Sequence, residues 1–145
     1  MGNAIILGPI GISTTELSFY SSRIPAGFPS PALDHMEQKL SLDELLNIDA
    51  PHTYLVRVTG DSMTGVGIFD EDILIVSRAI TKKIGRIVVA DLNGETFVKR
   101  LTQEDDRYIL RSENPKYPPR YIMEGDELVP WGVVKANLHF HRCHA

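Results

Sequence analysis

The chain has 145 residues, a single cysteine and a formal net charge of -4 from 15 basic and 19 acidic side chains. That length fits one domain with room for an arm, and an apolar fraction of 43% is enough for one core. Scattered lysines and arginines under a net negative charge exclude a DNA reader that draws its affinity from phosphate neutralisation. The lone Cys143 excludes an internal disulfide framework and fits a reducing compartment.

The opening apolar run, Ala4 to Leu7, is broken by Gly8-Pro9 and is too short for a secretory or membrane segment. The expected setting is therefore soluble and cytoplasmic, with no membrane partner. Residues 1–32 hold two charges, Glu16 and Arg23, and the turn-rich stretch "RIPAGFPSPA". Pro25, Pro29 and Pro31 forbid a continuous helix and push their predecessors towards extended geometry. These features predict an extended, exposed N-terminal arm over 1–32, followed by a folded body over 33–145.

The body opens with a short helix. Ser41 is the predicted N-cap, and Glu44 completes a capping box ahead of Leu45, Leu46 and Ile48, with Pro51 ending the helix. Almost everything after it is strand: "HTYLVRV", "DILIVS", "RIVVADL", "TFVKRL", "RYILRS" and "WGVVKANLHF". Asn93-Gly94 is a two-residue hairpin signal, and the prolines of "NPKYPPRY" confine that stretch to a loop or a sheet edge. Short, closely spaced strands leave no room for βαβ crossovers, so the fold class is mostly β, a compact antiparallel body.

Two residues in this body have the right chemistry for a hydrolase. Ser62 follows a strand, in "VTGDSMTG", and heads a Gly-bounded turn whose backbone N–H groups could serve an oxyanion. In "ETFVKRL", alternation sets Lys99 between Phe97 and Leu101, on the more apolar of two mixed faces. Burial there lowers a lysine's pKa, and a neutral amine is the general base that a serine nucleophile needs. Two simpler readings stand beside this one. Lysines on half-exposed strands commonly extend their heads to solvent, and Gly-Asp-Ser is ordinary turn vocabulary.

Taken in order, "GDSM" at Ser62, "EDILIV" at Glu71 to Val76, "FVKRL" at Lys99 and "WGVV" at Trp131 resemble the LexA/UmuD family of self-cleaving Ser-Lys peptidases. The likeness runs from about Pro25 to Lys135 and is strongest to the UmuD-like branch, whose arm and first helix "AGFPSPALDHMEQKLSLDELL" resembles. Glu71 stands where many relatives carry Gly.

The resemblance implies a β body of the LexA/UmuD C-terminal type, with Ser62 as nucleophile and Lys99 as general base. It places the cut at Ala26–Gly27 in the chain's own arm. The backbone N–H groups of Ser62 and Met63 are the candidate oxyanion donors. It also implies a homodimer, stimulation by a RecA filament on single-stranded DNA, and service to a UmuC-like translesion polymerase in the SOS response. No cofactor and no sequence-specific DNA contact are expected.

Three rival readings share part of this chemistry or family. A type I signal peptidase shares the Ser-Met and lysine chemistry but needs a membrane anchor. A LexA-like repressor needs a DNA-binding domain of about 60 residues or more. A pure interaction subunit of a polymerase would leave Ser62 and Lys99 inert.

Among other clusters, His139, His141, Cys143 and His144 in the tail have metal-capable side chains. No second cluster completes a tetrahedral site, so no metal is expected. The acidic groups at Asp70, Glu71 and Asp72 and at Glu104, Asp105 and Asp106 read as solvated turns. Trp131 reads as core or dimer surface.

Overall fold

The computed structural model describes residues 2–11, 16–20 and 36–141. The chain forms two units, one of Met1–Ile10 with Asp49–Ala145 and one of Gly11–Ile48.

The larger unit is an eight-stranded sheet. Its strands are β1 (Ala4–Pro9), β4 (Thr53–Val58), β5 (Ile73–Ser77), β6 (Ile87–Leu92), β7 (Glu95–Glu104), β8 (Arg107–Arg111), β9 (Arg120–Tyr121) and β10 (Leu128–Leu138). They lie in the order β1-β4-β5-β10-β6-β7-β8-β9, and every paired neighbour is antiparallel. β10 serves both halves of the sheet, its first half pairing with β6 and its second with β5. A register shift between Pro130 and Gly132 and another between Val134 and Ala136 let one strand change neighbours in this way. The mostly β, antiparallel expectation is borne out.

The hairpin at Asn93-Gly94 forms as predicted between β6 and β7, with φ of +52° and +84°, the left-handed pair of a type I′ turn. β7 explains why its sequence looked mixed. Val98 is buried with Val56, Val58, Met63, Ile68, Leu74, Val76 and Val89 on one side of the sheet. Leu101 is buried with Val88, Ala90, Leu92, Leu110 and Val133 on the other, where Phe97 also packs. Both faces of β7 are covered, so neither is the polar one.

The smaller unit pairs β2 (Glu16–Tyr20) with β3 (Met36–Ser41), antiparallel, and continues into the four-residue helix α1 (Leu42–Leu45). The capping box is present: Ser41 Oγ accepts from the Glu44 N–H at 3.1 Å, and the Ser41 N–H donates to Glu44 Oε1 at 3.4 Å. The helix does not run on to Pro51. Asn47 adopts φ +50° and turns the chain out of it, and Pro51 instead sits within a 3-10 turn over Ala50–His52.

The units divide the chain elsewhere than at residue 32. Ala4–Pro9 is an edge strand of the large sheet, registered from Ala4 opposite Val58 to Pro9 opposite Tyr54. Ile5, Ile6 and Leu7 all remain exposed, so β1 gave no alternating signal in the sequence. Helix α1 falls in the smaller unit with β2 and β3. Among the described residues no helix is long and apolar enough to cross a membrane.

Candidate active site

The turn after β4 is built to hold Ser62 still. Gly60 takes φ +83°, a conformation that side chains disfavour, and its N–H donates to Asp70 Oδ1 at 2.8 Å. Met63 is 1% exposed and anchors the turn in the core beside Val56 and Val58. The Thr64 N–H and hydroxyl both return to the Asp61 carbonyl, which also accepts from Asn114 Nδ2 at 2.8 Å. Gly65 packs so closely on the Glu113 carbonyl, to which its N–H donates at 2.7 Å, that any side chain there would collide with it. Glu113 itself is ion-paired to Arg100 of β7. The turn is thus tied to the loop after β8, and through the Glu113–Arg100 pair to the strand that carries Lys99.

Lys99 reaches Ser62. Its Nζ lies 2.8 Å from Ser62 Oγ and 3.0 Å from Ser112 Oγ. Burial holds its pKa below the ordinary lysine value, because a half-buried ammonium loses hydration that these neutral hydroxyls only partly replace. The Tyr117 ring stands 5.8 Å from Nζ. The Tyr117 hydroxyl donates to the Asp61 carboxylate, holding it below the usual carboxylate range, and Lys116 adds a 3.5 Å contact to the same group. The Asp61 charge is therefore engaged away from the amine.

Ser62 Oγ has a third neighbour, Asn3 Nδ2, at 3.1 Å. Ser62, Lys99, Ser112, Asn3, Phe97 and Tyr117 line an open cavity of about 320 Å³. With the amine neutral, this arrangement can pass the Ser62 proton to nitrogen and leave an alkoxide-like oxygen facing that cavity.

The structure brings together Ser62, Met63 and Lys99, the site residues expected in the body. Ala26 and Gly27 lie outside the described residues, in the connection between β2 and β3. No sequence pattern points to Asn3 or Ser112. A serine at a strand end is common, and an asparagine 95 positions from its partner Val98 leaves no local pattern. Glu113 and Asn114 matched the family loop without an assigned task; both buttress the Ser62 turn.

Other expectations are corrected. Asp72 is not a solvated turn residue: it is 1% exposed and accepts from the Phe69 N–H, from Asn137 Nδ2, and lies 2.6 Å from His139 Nδ1. β10 stops at Leu138, so His139 leaves the strand and turns to Asp72. Cys143 and His144 lie outside the described residues, among which there is no cluster of metal-capable side chains. Trp131 is half-buried, edge-on to Tyr54 and beneath Arg78. Glu71 holds φ +69°, which explains in backbone terms why glycine suits that position.

A family model described as Peptidase S24-like matches residues 18–135, most of the chain and all of the site but Asn3. The chain belongs to the Peptidase S24-like family. Its S24 relatives include Protein MucA of Salmonella typhimurium, 42% identical over 127 residues that cover 87% of this chain and 86% of that protein. Protein SamA of Salmonella typhimurium strain LT2 is 41% identical over 120 residues, 83% of each. The LexA repressor of Bordetella avium is 35% identical over 122 residues, which span 84% of this chain and 57% of the repressor. The expected place in the LexA/UmuD group of serine peptidases, on its UmuD-like side, is borne out.

Proposed function

We propose that this chain is a Ser-Lys peptidase that cuts its own Ala26–Gly27 bond. The observation that carries the reading is the 2.8 Å approach of Lys99 Nζ to Ser62 Oγ, together with burial that lowers the amine's pKa. Ser62 Oγ attacks the Ala26 carbonyl carbon while Lys99 takes the hydroxyl proton. The oxyanion is held by backbone N–H groups at the head of the turn. Thr64 N–H is already engaged by Asp61, which points to the preceding pair, Ser62 and Met63. Collapse breaks the C–N bond as Lys99 returns the proton to the Gly27 amine. Lys99 then takes a proton from water as its oxygen attacks the ester carbonyl, and passes that proton to Ser62 Oγ as the acyl–oxygen bond breaks, which restores the hydroxyl and leaves Ala26 with a carboxyl group that ionises. Ala26 needs only a small pocket, and Gly27 puts no Cβ in the path of attack.

The UmuD-like relatives, matched over more than four-fifths of their lengths, favour a wider role for the cut. In it, a homodimer meets the RecA filament on single-stranded DNA, is cleaved, and supports a UmuC-like translesion polymerase in the SOS response. No metal or cofactor takes part.

The test is mass spectrometry of the purified protein after alkaline incubation. A single new N-terminus at Gly27, reading Gly-Phe-Pro-Ser, is expected; an uncut chain or a cut elsewhere would overturn the assignment. Ser112 offers a finer check. Its hydroxyl can accept one N–H of the neutral amine and so turn the nitrogen lone pair towards Ser62. Ser112→Ala is expected to slow cleavage about tenfold, the worth of one hydrogen bond to the base, with the cut still at Gly27. An unchanged rate would remove Ser112 from the mechanism.

A further inference from the structure

We propose that Asn3 is a positioning residue for Ser62, supplied by the N-terminal strand, which completes the hydrogen bonding of the nucleophile. The proposal rests on the reading of Ser62 as the nucleophile.

Asn3 is fixed from both sides. Its main-chain carbonyl accepts from the Thr59 N–H at 2.9 Å, three residues before Ser62. Its Oδ1 accepts from the Val98 N–H at 2.7 Å, one residue before Lys99. Nδ2 then has two hydrogens to place, and the structure has an acceptor for each: the Val98 carbonyl at 3.3 Å and Ser62 Oγ at 3.1 Å. A carboxamide carries an acceptor and two donors on one planar group, so this set of partners satisfies it. Gly2 lets the chain approach, since a side chain there would run into the Thr96 backbone. Asn3 thus clamps the end of β4 to the middle of β7, the two strands that present Ser62 and Lys99.

The consequence for Ser62 follows from the valence of a hydroxyl, which has one hydrogen and two lone pairs. When the amine is neutral, the hydrogen goes to Lys99 Nζ. Asn3 occupies one lone pair. The other is left for the cavity, where a scissile carbonyl would sit. Without Asn3 the hydroxyl is free to rotate about its Lys99 contact and loses the fixed aim that favours attack.

The groups facing Lys99 are the hydroxyls of Ser62 and Ser112, the Tyr117 ring, the Asp61 carboxylate engaged by Tyr117 and Lys116, and Arg120 at the cavity rim. A carboxylate placed at position 3 would add an unpaired negative charge within about 6 Å of Nζ, a distance at which an opposite charge raises a lysine pKa by about one unit or more. Asn3→Asp keeps the acceptor for the Val98 N–H, so it changes the electrostatics while keeping part of the clamp.

The experiment measures Ser62 reactivity without using the arm as substrate. Wild type, Asn3→Ala, Asn3→Asp and Ser62→Ala are treated with a small organophosphorus fluoride, and adduct formation on the intact chain is followed by mass from about pH 7 to about pH 10. Melting temperatures and self-cleavage rates are recorded in parallel. Asn3→Ala is expected to label and cut about tenfold more slowly with the midpoint of the pH profile unmoved. Asn3→Asp is expected to shift that midpoint up by about one unit. A folded Asn3→Ala protein that labels as fast as wild type, or faster, would overturn the proposal, as would an unshifted Asn3→Asp profile. Labelling with no cleavage would count against the self-cutting function alone, whereas labelling that persists in Ser62→Ala would remove Ser62 as the nucleophile and this proposal with it.

Discussion

Ser62→Ala is expected to lose self-cleavage altogether, by at least about a thousandfold, while melting close to wild type. The large kinetic effect follows from the proposed covalent step, which has no route without Oγ. The small thermal effect follows from the neighbours. Asn3 Nδ2 keeps its bond to the Val98 carbonyl, and Lys99 Nζ keeps Ser112. Each group therefore keeps one partner, and with one Asn3 N–H left facing the open cavity the loss of stability should be about 1 kcal/mol. Met63 and the bonds from Thr64, Gly65 and Asn114 fix the turn independently of the hydroxyl. Fragment yield over time, paired with a thermal melt, tests this; an alanine variant that still cuts at Gly27 would dismiss Ser62.

The second large effect concerns Lys99. Burial lowers its pKa, so the ammonium dominates below that lowered value and the free amine above it. Only the free amine can take the serine proton. The cleavage rate should therefore climb about tenfold per pH unit below the lowered pKa and level off above it, at a pH short of the ordinary lysine value. Lys99→Arg should be inactive throughout, because a guanidinium keeps its proton at every accessible pH. Rates from about pH 7 to about pH 10 on both proteins check this. A flat wild-type profile or a working arginine variant would refute Lys99 as base.

What could be read from the chain beforehand follows the range of the interactions involved. The capping box at Ser41, the Asn93-Gly94 turn and most strands are set by neighbours a few residues apart, and these were legible. The pairing of Ser62 with Lys99 is long-range and became legible through the ordered motifs around both residues. β1 and Asn3 were not, because an exposed edge strand is specified by backbone pairing and has no buried face to leave an alternating pattern. Asp72 misled for the opposite reason. It sits in a turn-like acidic run, yet its partners Asn137 and His139 lie at the far end of the chain. Pro51 is the natural sequence signal for the end of α1, whereas Asn47 has already left the helix by adopting a left-handed conformation.

β1 and the sheet it belongs to lie on opposite sides of the proposed scissile bond. Before the cut, its pairing with β4 is intramolecular, favoured by a tether that keeps the local concentration of the strand high. Hydrolysis at that bond would remove the tether and leave the hydrogen bonds. The N-terminal fragment would then be a peptide ligand, bound along β4 through the register from Ala4 to Pro9 and through Asn3 at Val98. Its occupancy would be governed by dilution and an off-rate, and the edge of β4 would open to another strand only once that peptide had left. Peptide-bond scission and exposure of a new binding edge would then be two events in time, separated by the residence of a departing strand.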